Sequence, residues 1–288
     1  MIRRLLSTSA VLAHENPLGL PKMGRGPASQ GLPIKQRIPN VKNVVLVSSA
    51  KGGVGKSTVA ANLALGFHKL GKSTGILDAD IFGPSVPKMF SLDGEPRLSA
   101  QGKLLPMANY GVETMSMGYM VPPEKAVVWR GLMVMKAMQQ LLFDVAWSPL
   151  DYLVIDMPPG TGDTQLTISQ QIEVAGAVIV TTPQDIALID AVKGIEMFRK
   201  VDIPILGLVE NMSYFECPNC HHHSHVFGTD GARRRAQDYG IDVLGSVPLT
   251  EEICVQADAG KPVVVSNPEL GQVYVDIAAS VVAQVEGK

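Results

Sequence analysis

A chain of 288 residues with 46% hydrophobic and 18% charged side chains is a globular composition, and it excludes an intrinsically disordered protein. A formal net charge of −2 gives no electrostatic reason to expect nucleic acid as a partner, and no apolar run approaches the roughly 20 residues that span a bilayer. Three cysteines are too few for a disulfide framework, so the close pair Cys217 and Cys220 needs another explanation.

Residues 1–14 (MIRRLLSTSAVLAH) carry Arg3 and Arg4, three hydroxyl side chains and no acid. Arginine-rich, hydroxyl-rich and acid-poor is the composition of a mitochondrial transit peptide. The following stretch to residue 42 is rich in proline and glycine without periodicity, so residues 1–35 are expected to be a transit peptide with a flexible lead-in. A P-loop ATPase domain is expected over 41–288.

The first strand is expected at 44–49, in the apolar run Val44-Val45-Leu46-Val47, and the first helix at 57–70. Between them lies AKGGVGKST, residues 50–58. Glycines at 52, 53 and 55 let the backbone curl so that several N–H groups face one anion, and the helix N-terminus adds its partial positive charge. This assigns Gly52, Gly53, Val54, Gly55, Lys56, Ser57 and Thr58 to a nucleoside triphosphate. Lys56 would reach the β- and γ-phosphates, and the Ser57 hydroxyl would serve Mg²⁺. Lys51 is an additional cation that an ordinary P-loop does not require.

Further strands are expected at 74–78, 152–156, 177–181, 205–210 and 242–246, with helices at 129–146, 164–174, 186–199, 230–239 and 271–285. Continuous apolar runs such as Leu153-Val154-Ile155 read as parallel strands buried on both faces. The alternation implies one α/β domain with a mostly parallel sheet and helices on both faces. A small β-hairpin insertion is expected around Asn109-Tyr110-Gly111. Asp156 ends its strand beside the P-loop, where the water shell of Mg²⁺ needs an acidic partner. Asp163 is a candidate cap for the helix that follows. Asp78-Ala79-Asp80 ends the 74–78 strand and Asn211 follows the 205–210 strand. Cys254 reads as a small core residue in a separate helix-like segment.

Cys217-Pro218-Asn219-Cys220 presents two thiolates to one soft metal centre: zinc, an iron–sulfur cluster or Cu(I). Zinc and a [4Fe–4S] cluster each want four ligands. A second copy across a two-fold axis would supply the other pair, or His221, His222, His223 or His225 would complete an intramolecular zinc site. Taken alone, the motif favours zinc because such sites are commoner.

AKGGVGKST, DADIFGPS, IDMPPGTGD, VENMS and CPNC, in that order, resemble the Mrp/NUBPL-type iron–sulfur carriers. These are deviant P-loop ATPases related to MinD, ParA and ArsA, and the likeness runs from about residue 41 to the C-terminus. With the presequence, the mitochondrial branch serving respiratory complex I is the nearest match. The resemblance implies that Lys51 crosses a homodimer interface to the partner's nucleotide and that Asp80 polarises the attacking water. It implies switch loops at 81–85 and 156–163, and an Asn211 amide that reads adenine. It places a labile [4Fe–4S] cluster on Cys217 and Cys220 of two subunits, which reverses the preference for zinc. ATP and Mg²⁺, weak hydrolysis, apo iron–sulfur clients including complex I subunits, and a mitochondrial matrix location follow from it. Switch motion would be relayed to the cysteine loop. The four-cysteine amino-terminal site of some cytosolic relatives is absent. A MinD/ParA-type positioning switch has no need for the two cysteines, whereas a zinc-stabilised ATPase would use them differently.

Overall fold

The computed structural model describes residues 35–120, 131–228 and 231–287. In chain order the strands are β1 Val41–Ser48, β2 Thr74–Asp78, β3 Met107–Asn109, β4 Val112–Ser116, β5 Leu150–Asp156, β6 Gly176–Thr181, β7 Ile205–Glu210, β8 Phe215–Glu216, β9 His223–Ser224 and β10 Val243–Ser246. The helices are α1 Lys56–Lys69, α2 Val86–Met89, α3 Gly131–Phe143, α4 Asp163–Gln171, α5 Asp185–Lys200, α6 Gly231–Tyr239, α7 Glu251–Asp258, α8 Val263–Ser266 and α9 Pro268–Glu286.

The main sheet has eight strands in the order β10-β7-β6-β1-β5-β2-β4-β3, and every neighbouring pair is parallel except β3–β4. Alternate residues of β1 explain why it reads as one apolar run. Val45 and Val47 face a core with Phe67 of α1 and Tyr274 of α9, while Val44 and Leu46 face a core with Leu141 of α3 and Ile195 of α5. β5 repeats the pattern, with Val154 on the first side and Ile155 on the second. Both faces are covered, as parallel sheets require. α1 and α9 approach closely at Gly66, where a Cβ would lie 2.9 Å from the Tyr274 carbonyl oxygen. Asn62 joins α1 to α8 by accepting from the Val264 N–H at 3.1 Å.

Three local expectations change. The hairpin at 107–116 forms, but β4 pairs with β2 in parallel from Thr74↔Val112 to Asp78↔Ser116, so it extends the sheet edge. α4 starts one residue early: its cap position is Gly162, and Asp163 sits in the first turn without a capping hydrogen bond. The lead-in expected to run to residue 42 is anchored from Lys35 onward. Lys35 Nζ donates to Val201 O at 2.8 Å, Gln36 N–H donates to Gln171 O at 2.8 Å, and Ile38 is 2% exposed. The transit-peptide reading falls on residues outside those described, as does the start of the 129–146 helix.

β1 is the point where the chain changes direction across the sheet, flanked by β5 and β6. Open α/β sheets bind ligands beyond the carboxyl ends of strands at such a point. β1, β2, β5 and β7 bring residues 49–58, 78–80, 156 and 211 to that one edge.

Candidate functional site: a phosphate cradle beside a cysteine hairpin

The loop between β1 and α1 curls through Gly53 and Gly55, both at φ 81°, a conformation glycine adopts without penalty. A Cβ at Gly55 would collide with the Asn211 amide nitrogen, so this glycine also leaves the space that Asn211 fills. Asn211 Nδ2 donates to Val54 O at 2.8 Å and pins the loop from the β7 side. Lys51 is exposed at the start of the loop, with its carbonyl oxygen accepting from Ser49 Oγ at 2.9 Å.

Lys56 is 6% exposed, pairs with Asp156, and donates to Ser57 Oγ at 3.3 Å. Asp156 Oδ2 is buried with no hydrogen-bond partner among the described residues. Asp78 stands opposite Asp156 in register on β2. It accepts from the Asp80 N–H at 3.1 Å, the Ser85 N–H at 3.0 Å, the Val86 N–H at 3.2 Å and Ser116 Oγ at 3.1 Å. Burial, then the neighbouring Asp156 charge, raises the Asp78 carboxyl to about 7. Burial also raises Asp156, against the pull of Lys56. Burial thus pushes both carboxyls toward their neutral forms, and a hard divalent cation bound beside them would favour the charged ones. The orphaned Asp156 oxygen and the Ser57 hydroxyl are the oxygen donors that Mg²⁺ prefers. Asp80 is half-buried and lines the cleft above them.

That cleft has a volume of about 490 Å³. One side is the cradle, and the other is Pro248, Leu249, Thr250 and the first turns of α7. Thr250 caps α7 through Ile253 N–H at 3.4 Å. Cys254 is exposed on α7 and lines the cleft, so it is not the small core residue expected: α7 buries none of its side chains. The 248–254 wall was missing from the sequence reading, although Thr250-Glu251-Glu252 is a helix-start signature.

β8 and β9 form a two-stranded hairpin whose turn holds Cys217 and Cys220. Cys217 N–H donates to His222 O at 3.0 Å, and His221 N–H donates back to Cys217 O at 2.9 Å. Cys220 is exposed and Cys217 half-buried. The backbone N–H groups of Asn219 and Cys220, with the Cys220 thiol, hold the Cys217 thiol below its ordinary range, which favours the metal-binding thiolate. Three of the four nearby histidines are engaged by other groups. His221 Nδ1 meets Glu216 Oε1 at 2.7 Å, His223 stacks on Tyr214 with centroids 4.4 Å apart, and His225 Nδ1 meets Ser213 O at 3.3 Å. Among the described residues no three His, Cys, Asp or Glu side chains converge to hold a metal.

Residues 40–285 match the ParA family described as NUBPL iron-transfer P-loop NTPase. The chain belongs to this family. It is 54% identical over 262 residues, 90% of this chain and 82% of the relative, to the iron-sulfur cluster transfer protein NUBPL of Mus musculus. It is 50% identical over 249 residues, 85% of this chain and 80% of the relative, to an Arabidopsis thaliana iron-sulfur protein required for NADH dehydrogenase, mitochondrial. Among solved structures, a nucleotide-binding protein from Archaeoglobus fulgidus in complex with ADP superposes with a TM-score of 0.69 at 39% identity, covering 78% of this chain and 89% of that one. The matched span includes the loop at residues 50–58.

Proposed function

We propose that this protein is an ATP-dependent carrier of [4Fe–4S] clusters that delivers them to apoproteins of respiratory complex I in the mitochondrial matrix. The observation that carries the reading is a hairpin offering two thiols, with one thiol shifted toward its thiolate, on a P-loop domain of the NUBPL family. Two thiolates per chain call for two chains, so the cluster is cargo shared across a homodimer. The names of the mouse and Arabidopsis relatives, an iron-sulfur transfer protein and a factor required for mitochondrial NADH dehydrogenase, support the cargo and the client. The engagement of His221, His223 and His225 away from the cysteines supports a cluster over an intramolecular zinc site.

In this reading Lys56, Ser57 and Asp156 hold MgATP, with Gly52, Gly53, Val54, Gly55 and Thr58 forming the cradle around the phosphates. Asp80 orients the attacking water, Lys51 reaches the nucleotide of the second copy, and Asn211 reads the base while bracing the loop. Mg²⁺ held by Ser57 and Asp156 would supply positive charge to the phosphates. Anaerobic reconstitution tests the function: about four irons and four sulfides per dimer are expected, with broad visible absorption and transfer to an apo [4Fe–4S] acceptor. Stoichiometric zinc without that absorption refutes it.

We further propose that residues 1–34 are an import segment and that 35–288 is the working domain. Deleting 1–34 should leave nucleotide and cluster binding intact in vitro and strand the protein in the cytosol in cells, read by fractionation. Cutting further, through Ile38, should cost about 1.5 to 3 kcal/mol of stability, because that side chain is buried in the core.

A further inference from the structure

The cysteine hairpin and the nucleotide cleft share a wall. Asn211 and Met212 line one stretch of the cleft, and Pro248, Leu249 and Thr250 line another. The same two segments root the hairpin. Ser213 N–H and Ser213 Oγ both donate to Val247 O, at 2.9 and 3.0 Å. Leu249 N–H donates to Tyr214 O at 2.7 Å, and Phe215 forms a parallel bridge with Leu249. Between Asn211 and Ser213, Met212 sits at φ 54°, a left-handed backbone that a long side chain adopts only where its surroundings hold it.

The switch loops make no such connection. Among the described residues, the backbone N–H groups of Asp80, Ser85 and Val86 donate to Asp78. Those of Met157 and Gly160 donate to Val47 O and Ser49 O. None reaches the hairpin.

We propose that Met212 and Ser213 are positioning residues that make the presentation of Cys217 and Cys220 depend on the base end of the bound nucleotide, not on its third phosphate. This rests on the nucleotide site proposed above and needs no cluster. A base seated against Met212 and Leu249 packs the two segments that carry the hairpin and restricts their opening. A ligand that contacts the closed root better than the open one shifts that equilibrium. ADP carries the base and lacks the γ-phosphate, so the two routes can be told apart.

The test uses reduced, cluster-free protein carrying Cys254→Ser, which leaves Cys217 and Cys220 as the reactive thiols. Their alkylation by iodoacetamide is timed without nucleotide, with MgADP, with MgATP and with tripolyphosphate. ADP and ATP are expected to slow alkylation equally, by about fivefold or more, the lower end of ordinary coupling between sites. Tripolyphosphate should do nothing. Ser213→Ala is the deciding variant: its side chain lies outside the cleft lining, so calorimetry should still show ADP binding while the response at least halves, and Met212→Leu, which keeps an apolar side chain of similar volume, should keep the response. An effect of ATP without one of ADP, protection by tripolyphosphate, no nucleotide effect at all, or a full response in the deciding variant overturns the proposal. ADP that fails to bind wild-type protein overturns the nucleotide site instead.

Discussion

Lys56→Ala is expected to cost nucleotide affinity and folding stability together. Its ammonium is the cation set against the buried pair Asp78 and Asp156. Removing one partner of a buried ion pair strands the other, at about 3 to 5 kcal/mol. Loss of a charged hydrogen-bond donor to phosphate is worth about 1.5 to 3 kcal/mol, or ten- to a hundredfold in nucleotide affinity. Denaturant unfolding and calorimetric titration read the two losses separately. Adding Asp156→Asn should recover most of the stability and none of the affinity. Lys51→Ala should behave differently, because Lys51 is exposed and has no buried charge to strand. Binding should survive while turnover and nucleotide-dependent dimerisation fall. The same binding defect in both variants would remove the case for Lys51 acting across an interface.

Cys217→Ala or Cys220→Ala should each abolish the cluster and the cluster-dependent dimer, since a shared site loses two of its four ligands when one position changes in both copies. Nucleotide binding should be retained in both. The hairpin turn is held by backbone hydrogen bonds between Cys217, His221 and His222, which a change to alanine preserves. Iron and sulfide analysis beside size-exclusion chromatography is the measurement. A dimer that persists without iron would separate assembly from cargo.

The central strands were legible because they are apolar over their whole length, which only a sheet covered on both faces requires. β1 and β5 lie within a few residues of their expected positions for that reason. The P-loop was legible because its glycines, lysine and hydroxyl have fixed spacing dictated by one anion. The second partner of β4 was not legible: a five-residue strand does not encode whether it pairs only within its hairpin or also joins β2. Asn211 was readable as a polar strand end, but its hold on Val54 O depends on two loops that meet only in three dimensions. Cys254 was not legible because free cysteine is among the most often buried residue types, whereas α7 packs too lightly to bury any side chain. The role of Asp78 was not legible, because the three backbone N–H groups and the Ser116 hydroxyl that converge on it leave no mark in the sequence.

β8 and β9 contribute two residues each and stand apart from the main sheet. Native-state opening free energies follow such architecture, from near zero in small exposed units to the global value in central strands. The cysteine turn therefore belongs to the first unit to open, and β1 and β5 to the last. Amide protons around Cys217 and Cys220 should exchange by local fluctuation, while those of Val45 and Val154 wait for the whole molecule to unfold. A cargo held at that end of the scale can be handed over by opening one hairpin, without disturbing the strands that carry the phosphate cradle.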